Sequence, residues 1–498
     1  MNQYPRARSL VLAGCLAWLS SCDDPQIFPV DGGQPAKSDA TARADGGAPA
    51  PGAWVATVNP TDYHDSSGVA LVRDRSGDLF VAGTFYGEAR LGDRQLKAVG
   101  EQDIFLARYA ADGKLRWVKT WGGSDHDTVV SMVLGTAGEL YLGGAISTQV
   151  DFDGQPARSL SGQNAFVARL DASDGRVRWV RVGASAVDSS VTRLAVGLRG
   201  GVYAAGTSET ELGFAEAPPR RRPRPAPTAS SRVFVVRLGA DGKQESLHRP
   251  VENTRCEGFV VDGDGASYLA CAFIGEVRID GAVLKSQGGS SATIDEGDGL
   301  LLKMAADGRL LWHRVLTGPR DDRFTDLARD VSGEVWAVGR FVGPATFAGQ
   351  SLAAQGTRGD LLLARLSSDG VLVGARTDGA PEVDPLPLKV TPDGRGGVLV
   401  AGRFGGSSWR LGPVTARGAP EGGALFVTRY DGKAEPVWVT TAVATDRGVV
   451  TARDVLGSAG QVMTVTGSYL GETTFDGVKT PVGPSLPRQG FVWQTVAP

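Results

Sequence analysis

"DIFLARYAADGKLRWVKTWGG", residues 103–123, decides the fold. Two short apolar runs flank an Ala-Ala-Asp-Gly turn, and neither repeats every 3.6 residues, so both read as strands of a hairpin. The pattern returns as "NAFVARLDASDGRVRWVRVG" at 164–183. Aligning the chain on the turn glycine gives Gly113, Gly175, Gly242, Gly308, Gly370 and Gly432, spaced by 62–67 residues. A second landmark lies upstream in "FVAGT", "YLGGA", "YAAGT", "YLACA", "WAVGR", "LVAGR" and "TVTGS". Its central residues are Gly83, Gly144, Gly206, Cys271, Gly339, Gly402 and Gly467, spaced by 61–68. Two markers that drift together along the chain define seven repeats.

The first repeat, 68–120, supplies four strands. "GVALVRD" turns at "RSG" into "DLFVAGTF"; a longer connection, "YGEARLGDRQLKAVGEQ", leads to "DIFLARY", which turns at Asp-Gly into "KLRWVKT". No stretch of 54–498 has convincing amphipathic helix periodicity. Four antiparallel strands repeated in this way predict an all-β, seven-bladed β-propeller with one sheet per blade. Residue size agrees: Val, Ala and Gly in the first two strands suit the narrow end of a wedge. The last two strands carry Phe105, Phe166, Phe234, Trp117, Trp179, Trp312 and Trp438, expected to pack between blades. The third repeat lacks the Trp ("GKQESLH") and the fifth has Gly374 nearby, so looser outer edges are expected there.

"D-x-F-x-A-R-[YL]-x-x-D-G-x-x-x-W" together with the "Y-x-A-G-T" strand resembles the bacterial β-propeller repeat (SBBP) family of secreted and surface proteins. The resemblance spans nearly all of 54–498. "DASDGRVRW" at 171–179 is also similar to quinoprotein propeller repeats, although the period here is longer than theirs.

Only six complete fourth strands follow an Asp-Gly turn. "GAWVATV" at 52–58 has the Trp and the spacing of "LRWVKT". The expectation is that "GFVWQTV", 490–496, forms the third strand of the seventh repeat and that the Trp54 segment pairs with it as the fourth. Joining the two ends in one blade would close the ring and leave no open edge between first and last repeats.

The N-terminus reads as an export signal. Arg6 and Arg8 precede the apolar "SLVLAGCLAWLS", which is too short to span a bilayer. "LSSC" looks like a bacterial lipobox and makes Cys22 the lipidated residue. "LAGC", ending at Cys15, also fits the pattern but leaves too short an apolar core before it. Residues 22–51 are Ala, Pro, Gly and Asp with almost no large apolar residue, the composition of a flexible tether about 30 Å long. The organisation expected is therefore signal 1–21, tether 22–51 and propeller 52–498, with an Arg/Pro-rich disordered insertion at 217–232. The 69 glycines, about twice the usual share of roughly 7%, match so many turns. A net charge of −3 gives no reason to expect nucleic-acid binding.

Counting back 17–18 residues from each central landmark reaches Asp65, His126-Asp127, Asp188, Asn253, Asp321-Asp322 and Asp384; in the seventh repeat Asp446 lies further out. These loops would surround one channel mouth and could hold a cation, Ca²⁺ foremost, or a polar ligand. The other reading has each Asp hydrogen-bonding the backbone of its own turn. "VDGDGASY" at 261–268 resembles a calcium loop, but the glutamate expected at its twelfth position is missing, which favours a hairpin turn. Cys256 and Cys271 flank that turn. A two-residue loop would set them opposite each other, whereas a bulge at Gly265 would slip the register by one and separate them. No nucleophile elbow, phosphate loop or His-Glu-x-x-His helix occurs, and the histidines, at 64, 126, 248 and 313, are scattered. The sequence thus points to a monomeric, lipid-anchored binding or scaffolding module, without cofactor, that meets an envelope protein or polysaccharide. An envelope polysaccharide lyase or hydrolase, or a quinoprotein-like oxidoreductase, is the alternative.

Overall fold

The computed structural model describes residues 53–498 apart from 62–64, 161, 198–199, 216–231, 280, 289–296, 446–447, 458–461, 481–487 and 497–498. The signal, Cys22 and the tether fall outside this range, as does nearly all of the insertion. Every regular element among the described residues is a strand.

Each sequence repeat forms a four-stranded antiparallel ladder. In the first, Ser66–Arg73 pairs with Leu79–Leu91, which pairs with Arg94–Tyr109, which pairs with Leu115–Trp121. The first strands of successive repeats lie side by side: Ser66–Arg73, Thr128–Leu134, Ser189–Val196, Thr254–Val261, Arg323–Arg329, Asp384–Pro392 and Val449–Gly457. Val449–Gly457 also lies beside Ser66–Arg73. This is a β-propeller-like arrangement, with apolar layers between consecutive ladders.

What joins one ladder to the next is a clasp on the Asp-Gly turn. Trp117, on the fourth strand of repeat 1, lies over Gly175 of repeat 2, where an added Cβ would come within 2.8 Å of its ring. Trp179 covers Gly242 in the same way, and Trp312 covers Gly370. These glycines have φ of 70–80°, a left-handed conformation that a side chain resists, so both backbone and space demand glycine. The indoles of Trp179 and Trp312 also donate to the turn carbonyls of Ala240 (2.9 Å) and Ser368 (3.0 Å). From the third strand, the Arg of "A-R" reaches the same turn. Arg108 donates to Ala172 and Ser173, Arg169 to Ala240, and Arg365 to Gly432. In repeat 3, which lacks the Trp, the His248 imidazole covers Gly308. In repeat 5 nothing approaches Gly374, and Val371 and Val373 beside it are exposed, so only that outer edge is as open as the sequence suggests.

The connection between second and third strands is itself a hairpin. "FDGQ", "FAGQ" and "FDGV" place Asp153-Gly154, Ala348-Gly349 and Asp476-Gly477 at positive φ, as two-residue type I′ turns require. The last two of these hairpins add a fifth strand to the preceding repeat: Phe347 pairs with Leu316 and Thr474 with Val443.

The two ends of the described chain meet in one ladder. Trp54–Pro60 runs antiparallel to Gln489–Val496, with Val55 opposite Trp493 and Val58 opposite Gly490. It also pairs with the first-repeat hairpin, Val58 opposite Leu91. Trp54 covers Gly113 of repeat 1, and Gln494 donates to the Ala111 carbonyl at 3.3 Å, so the last repeat grips the first as the others grip their successors.

The cysteine question has a two-part answer. Gly265 does make a bulge at the turn (φ 86°), which shifts the pairing so that Val261 faces Ser267. A second bulge, at Glu257, shifts it back, so Cys256 faces Cys271 and a disulfide joins them.

Two outcomes are expected. Deleting 52–58 lowers the melting temperature far more than deleting 23–50; equal small effects would refute a stabilising role for the terminal pairing. The double variant Cys256→Ala/Cys271→Ala loses roughly 3 kcal/mol in a denaturant titration, the entropy of a loop this short, and reduction of the wild type reproduces the loss.

Candidate functional site

Every first strand carries a bulge at the same place: Val69, Val130, Thr192, Glu257, Thr325, Leu388 and Arg453. A bulge presents two successive residues on the same side of the strand. The residue after each bulge falls thirteen before its central landmark: Ala70, Ser131, Arg193, Gly258, Asp326, Lys389 and Asp454. Three of these tie neighbouring first strands together. The N–H of Leu71 donates to Asp454 Oδ2 (2.8 Å), that of Leu194 to Ser131 Oγ (3.0 Å) and that of Val390 to Asp326 Oδ2 (3.1 Å).

Charge is concentrated along these strands. Glu257 accepts from Arg255 at 2.5 Å, and Lys389 lies 3.6 Å from Asp326. Burial alone would raise the Glu257 carboxyl. Arg255 and Arg193, with the Arg255 hydrogen bond and Lys389, outweigh it and hold the group at about 2. Burial, followed by Arg193, pushes the Lys389 ammonium down. Arg453 is lowered to about 10 by burial and then by the guanidinium groups of Arg488 and Arg403. Asp454 is raised by burial despite Lys389.

Four of the loop aspartates marked by sequence are spent on backbone, and two on arginine side chains. Asp65 Oδ1 accepts the N–H of Arg488 (2.8 Å), and Asp188 Oδ1 that of Gln163 (2.6 Å). Asp127 takes the N–H groups of Gly123 and Ser147, and Asp322 that of Val342. Asp321 faces Arg323 (3.3 Å) and Arg340 (3.5 Å), and Asp384 faces Arg340 at 2.7 Å. Asn253 adopts a left-handed φ of 56°. Asp446 and His64 lie outside the described residues. "VDGDGASY" is a hairpin turn in which Asp262 Oδ1 accepts from the N–H groups of Asp264 and Ala266.

His126 stands apart from these caps. Its Nδ1 is 2.9 Å from Asp125 and 3.3 Å from Glu101, and its ring meets Tyr86 edge-on at 5.8 Å. The Tyr86 phenol is pushed up by burial and by Asp65 and Glu101. All three of Glu101, Asp125 and His126 offer ligand atoms within 4.8 Å of one another at the surface.

Sequence reasoning missed the charges on the first strands. The signal was available as a constant offset of thirteen from the central landmarks, but six residue types share the seven positions, so the position looked like ordinary strand.

No family model matches the chain, and no curated protein matches it significantly. Among solved structures, the polysaccharide lyase Uly1 is similar at 10% identity and TM-score 0.44, over 87% of this chain and 90% of that one. An ulvan lyase of family PL25 is similar at 11% and 0.42, over 81% and 92%. Quinohemoprotein alcohol dehydrogenase from Comamonas testosteroni is similar at 10% and 0.38, over 90% and 76%. No residue role is carried over from these likenesses.

The capping carboxylates make stability pH-dependent. Burial raises Asp127 to about 6 and Asp322 to about 7 from an ordinary 3.8. A folded pKa above the unfolded one means stability present below about pH 4 and lost as pH rises through 6–7. The melting temperature is expected to fall between pH 5 and pH 8. Asp322→Asn, which keeps the acceptor for Val342, should flatten that decline by roughly 2 °C; an unchanged slope would contradict the assignment.

Proposed function

We propose that this chain is a lipid-anchored, exported seven-bladed β-propeller, closed by the pairing of Trp54–Pro60 with Gln489–Val496. It acts as a binding or scaffolding module at a bacterial envelope, through Cys22 for the anchor and through the channel mouth framed by the first strands for the ligand. One observation carries this reading: the first strands hold Arg193, Glu257, Lys389, Arg453 and Asp454 where apolar packing would be more stable. Half-buried charge that stability does not require is a common signature of a site. Two residues before their bulges, three of these strands carry the small polar residues Ser67, Ser190 and Thr451, each half-buried.

A second reading, an enzyme acting on envelope polysaccharide, has one observation in its favour. His126 lies against Tyr86 with Glu101 and Asp125 beside it, an imidazole and a phenol that could exchange protons with a bound sugar.

The full-length protein, immobilised and exposed to envelope extract, is expected to retain material that Ser190→Trp does not, because the indole fills the mouth. Equal retention by a folded Ser190→Trp protein would exclude the mouth. Cys22→Ala is expected to move the protein from membrane to soluble fractions; its persistence in membranes would exclude the anchor.

A further inference from the structure

Glu101, Asp125 and His126 come from two neighbouring repeats. Glu101 lies on the Arg94–Tyr109 strand of repeat 1, and Asp125 and His126 lie on the loop that enters Thr128–Leu134 of repeat 2. Backbone pairing joins the two: Gln102 bridges His126 in parallel, and the Gln102 carbonyl accepts the N–H of Asp127 at 2.8 Å. The Asp125 carboxylate is fixed in turn by the N–H of His126, also at 2.8 Å. The three side chains therefore stand on backbone that is held in place, as a metal site requires.

Their spacing is that of ligands to one ion. His126 Nδ1 is 2.9 Å from Asp125 Oδ1 and 3.3 Å from Glu101 Oε2, and all three ligand atoms lie within 4.8 Å of one another. Two metal bonds of about 2.1 Å set their ligand atoms about 3.0 Å apart at a right angle and about 3.4 Å apart at a tetrahedral one. Among the described residues neither carboxylate meets a lysine or arginine within 4.0 Å, so no fixed cation answers their two charges.

A buried neighbour points to the same place. Tyr86 pairs with Gln102, and Gln102 with His126, so the three side chains form one row on one face. Gln102 stands in the middle of that row, and the Tyr86 and His126 rings meet edge-on at 5.8 Å across it. Gln102 is only 6% exposed; its Nε2 donates to Thr84 Oγ1 at 3.2 Å, whereas its Oε1 has no donor. A buried acceptor without a donor is costly and calls for one. A water on a metal at the His126 end of the row would supply it.

We infer that Glu101, Asp125 and His126 bind one divalent transition-metal ion of the Zn²⁺ class, with Gln102 Oε1 accepting from a water on that ion. Imidazole beside carboxylate suits Zn²⁺, whereas Ca²⁺ takes an all-oxygen shell. Three protein ligands leave at least one coordination position to water or an incoming group. The site is separate from the mouth. Its metal would occupy Nδ1 and leave only Nε2 of His126 for the proton exchange of the polysaccharide reading.

Isothermal titration of the metal-stripped full-length protein with ZnCl₂ and, separately, CaCl₂ near neutral pH tests it. Zn²⁺ is expected to bind one per chain with a roughly micromolar Kd and to raise the melting temperature; CaCl₂ is expected to do neither at the same concentrations. His126→Gln and, separately, Asp125→Asn should each weaken Zn²⁺ binding at least about tenfold, while His313→Gln, at a histidine on another repeat, leaves it unchanged. Gln102→Leu should weaken it about tenfold without lowering the melting temperature of the metal-free protein, because an unpaired acceptor has been removed. Metal-free His126→Gln and Asp125→Asn should melt within about 2 °C of the metal-free wild type; a purely structural contact would lower the melting temperature and leave Zn²⁺ without effect. Absence of Zn²⁺ binding overturns the inference, and so does undiminished binding in both the His126 and Asp125 variants, which would put the ion elsewhere on the chain. Ca²⁺ binding as tightly as Zn²⁺ overturns the metal class, and unchanged affinity in Gln102→Leu overturns the part given to Gln102.

Discussion

A Trp and an Arg of one repeat hold the Asp-Gly turn of the next, and the rest of the molecule depends on that grip. A four-stranded sheet cannot bury both faces alone; it needs a neighbour at a fixed distance and angle. The turn glycine allows the indole to approach to contact, and the turn carbonyls receive the arginine that the third strand projects. Where Trp is missing the device changes: His248 substitutes for it in repeat 3, and repeat 5 holds the next turn through Arg365 and an Arg376–Glu435 ion pair.

The first strands are under a different constraint. Their bulges turn two consecutive residues toward the neighbouring strands, and the second of these links adjacent repeats wherever it can accept a backbone N–H, as Ser131, Asp326 and Asp454 do. From the third repeat on, the bulges also carry charge, at Arg193, Glu257, Asp326, Lys389, Arg453 and Asp454. The result is a charge lattice in which Glu257 is held at about 2 while Arg453 falls to about 10. Such opposite displacements are costly.

Much of the architecture was legible because its rules are local. Period-two apolar runs, the Asp-Gly turn with its third- and fourth-strand partners, and the lone Trp54 segment at the other end all speak through short windows of sequence. The hairpins between second and third strands were less legible. "FDGQ" and "FAGQ" are type I′ turns, yet their flanking strands are only three or four residues long, too short to show a clear period of two. The cysteines show the same limit. Their facing depends on two bulges that cancel, one at Gly265, which the sequence suggests, and one at Glu257, which it does not.

The acidic loop residues show how a correct position can leave its chemistry open. Asp65, Asp127, Asp188 and Asp322 stand at the same point of their repeats, as the spacing implies, and in the fold their carboxylates take up backbone N–H groups. By itself the sequence determined the strands, their number per repeat, their order and the pairing of the two ends, because hydrogen-bonding period and turn chemistry are properties of neighbouring residues. Only the tertiary structure decided which charges meet. Lys389 meets Asp326, and the Asp454 carboxylate meets the N–H of Leu71, although each pair is far apart along the chain; a charge's partner is set by distance in space, which bulges and inter-repeat packing fix together.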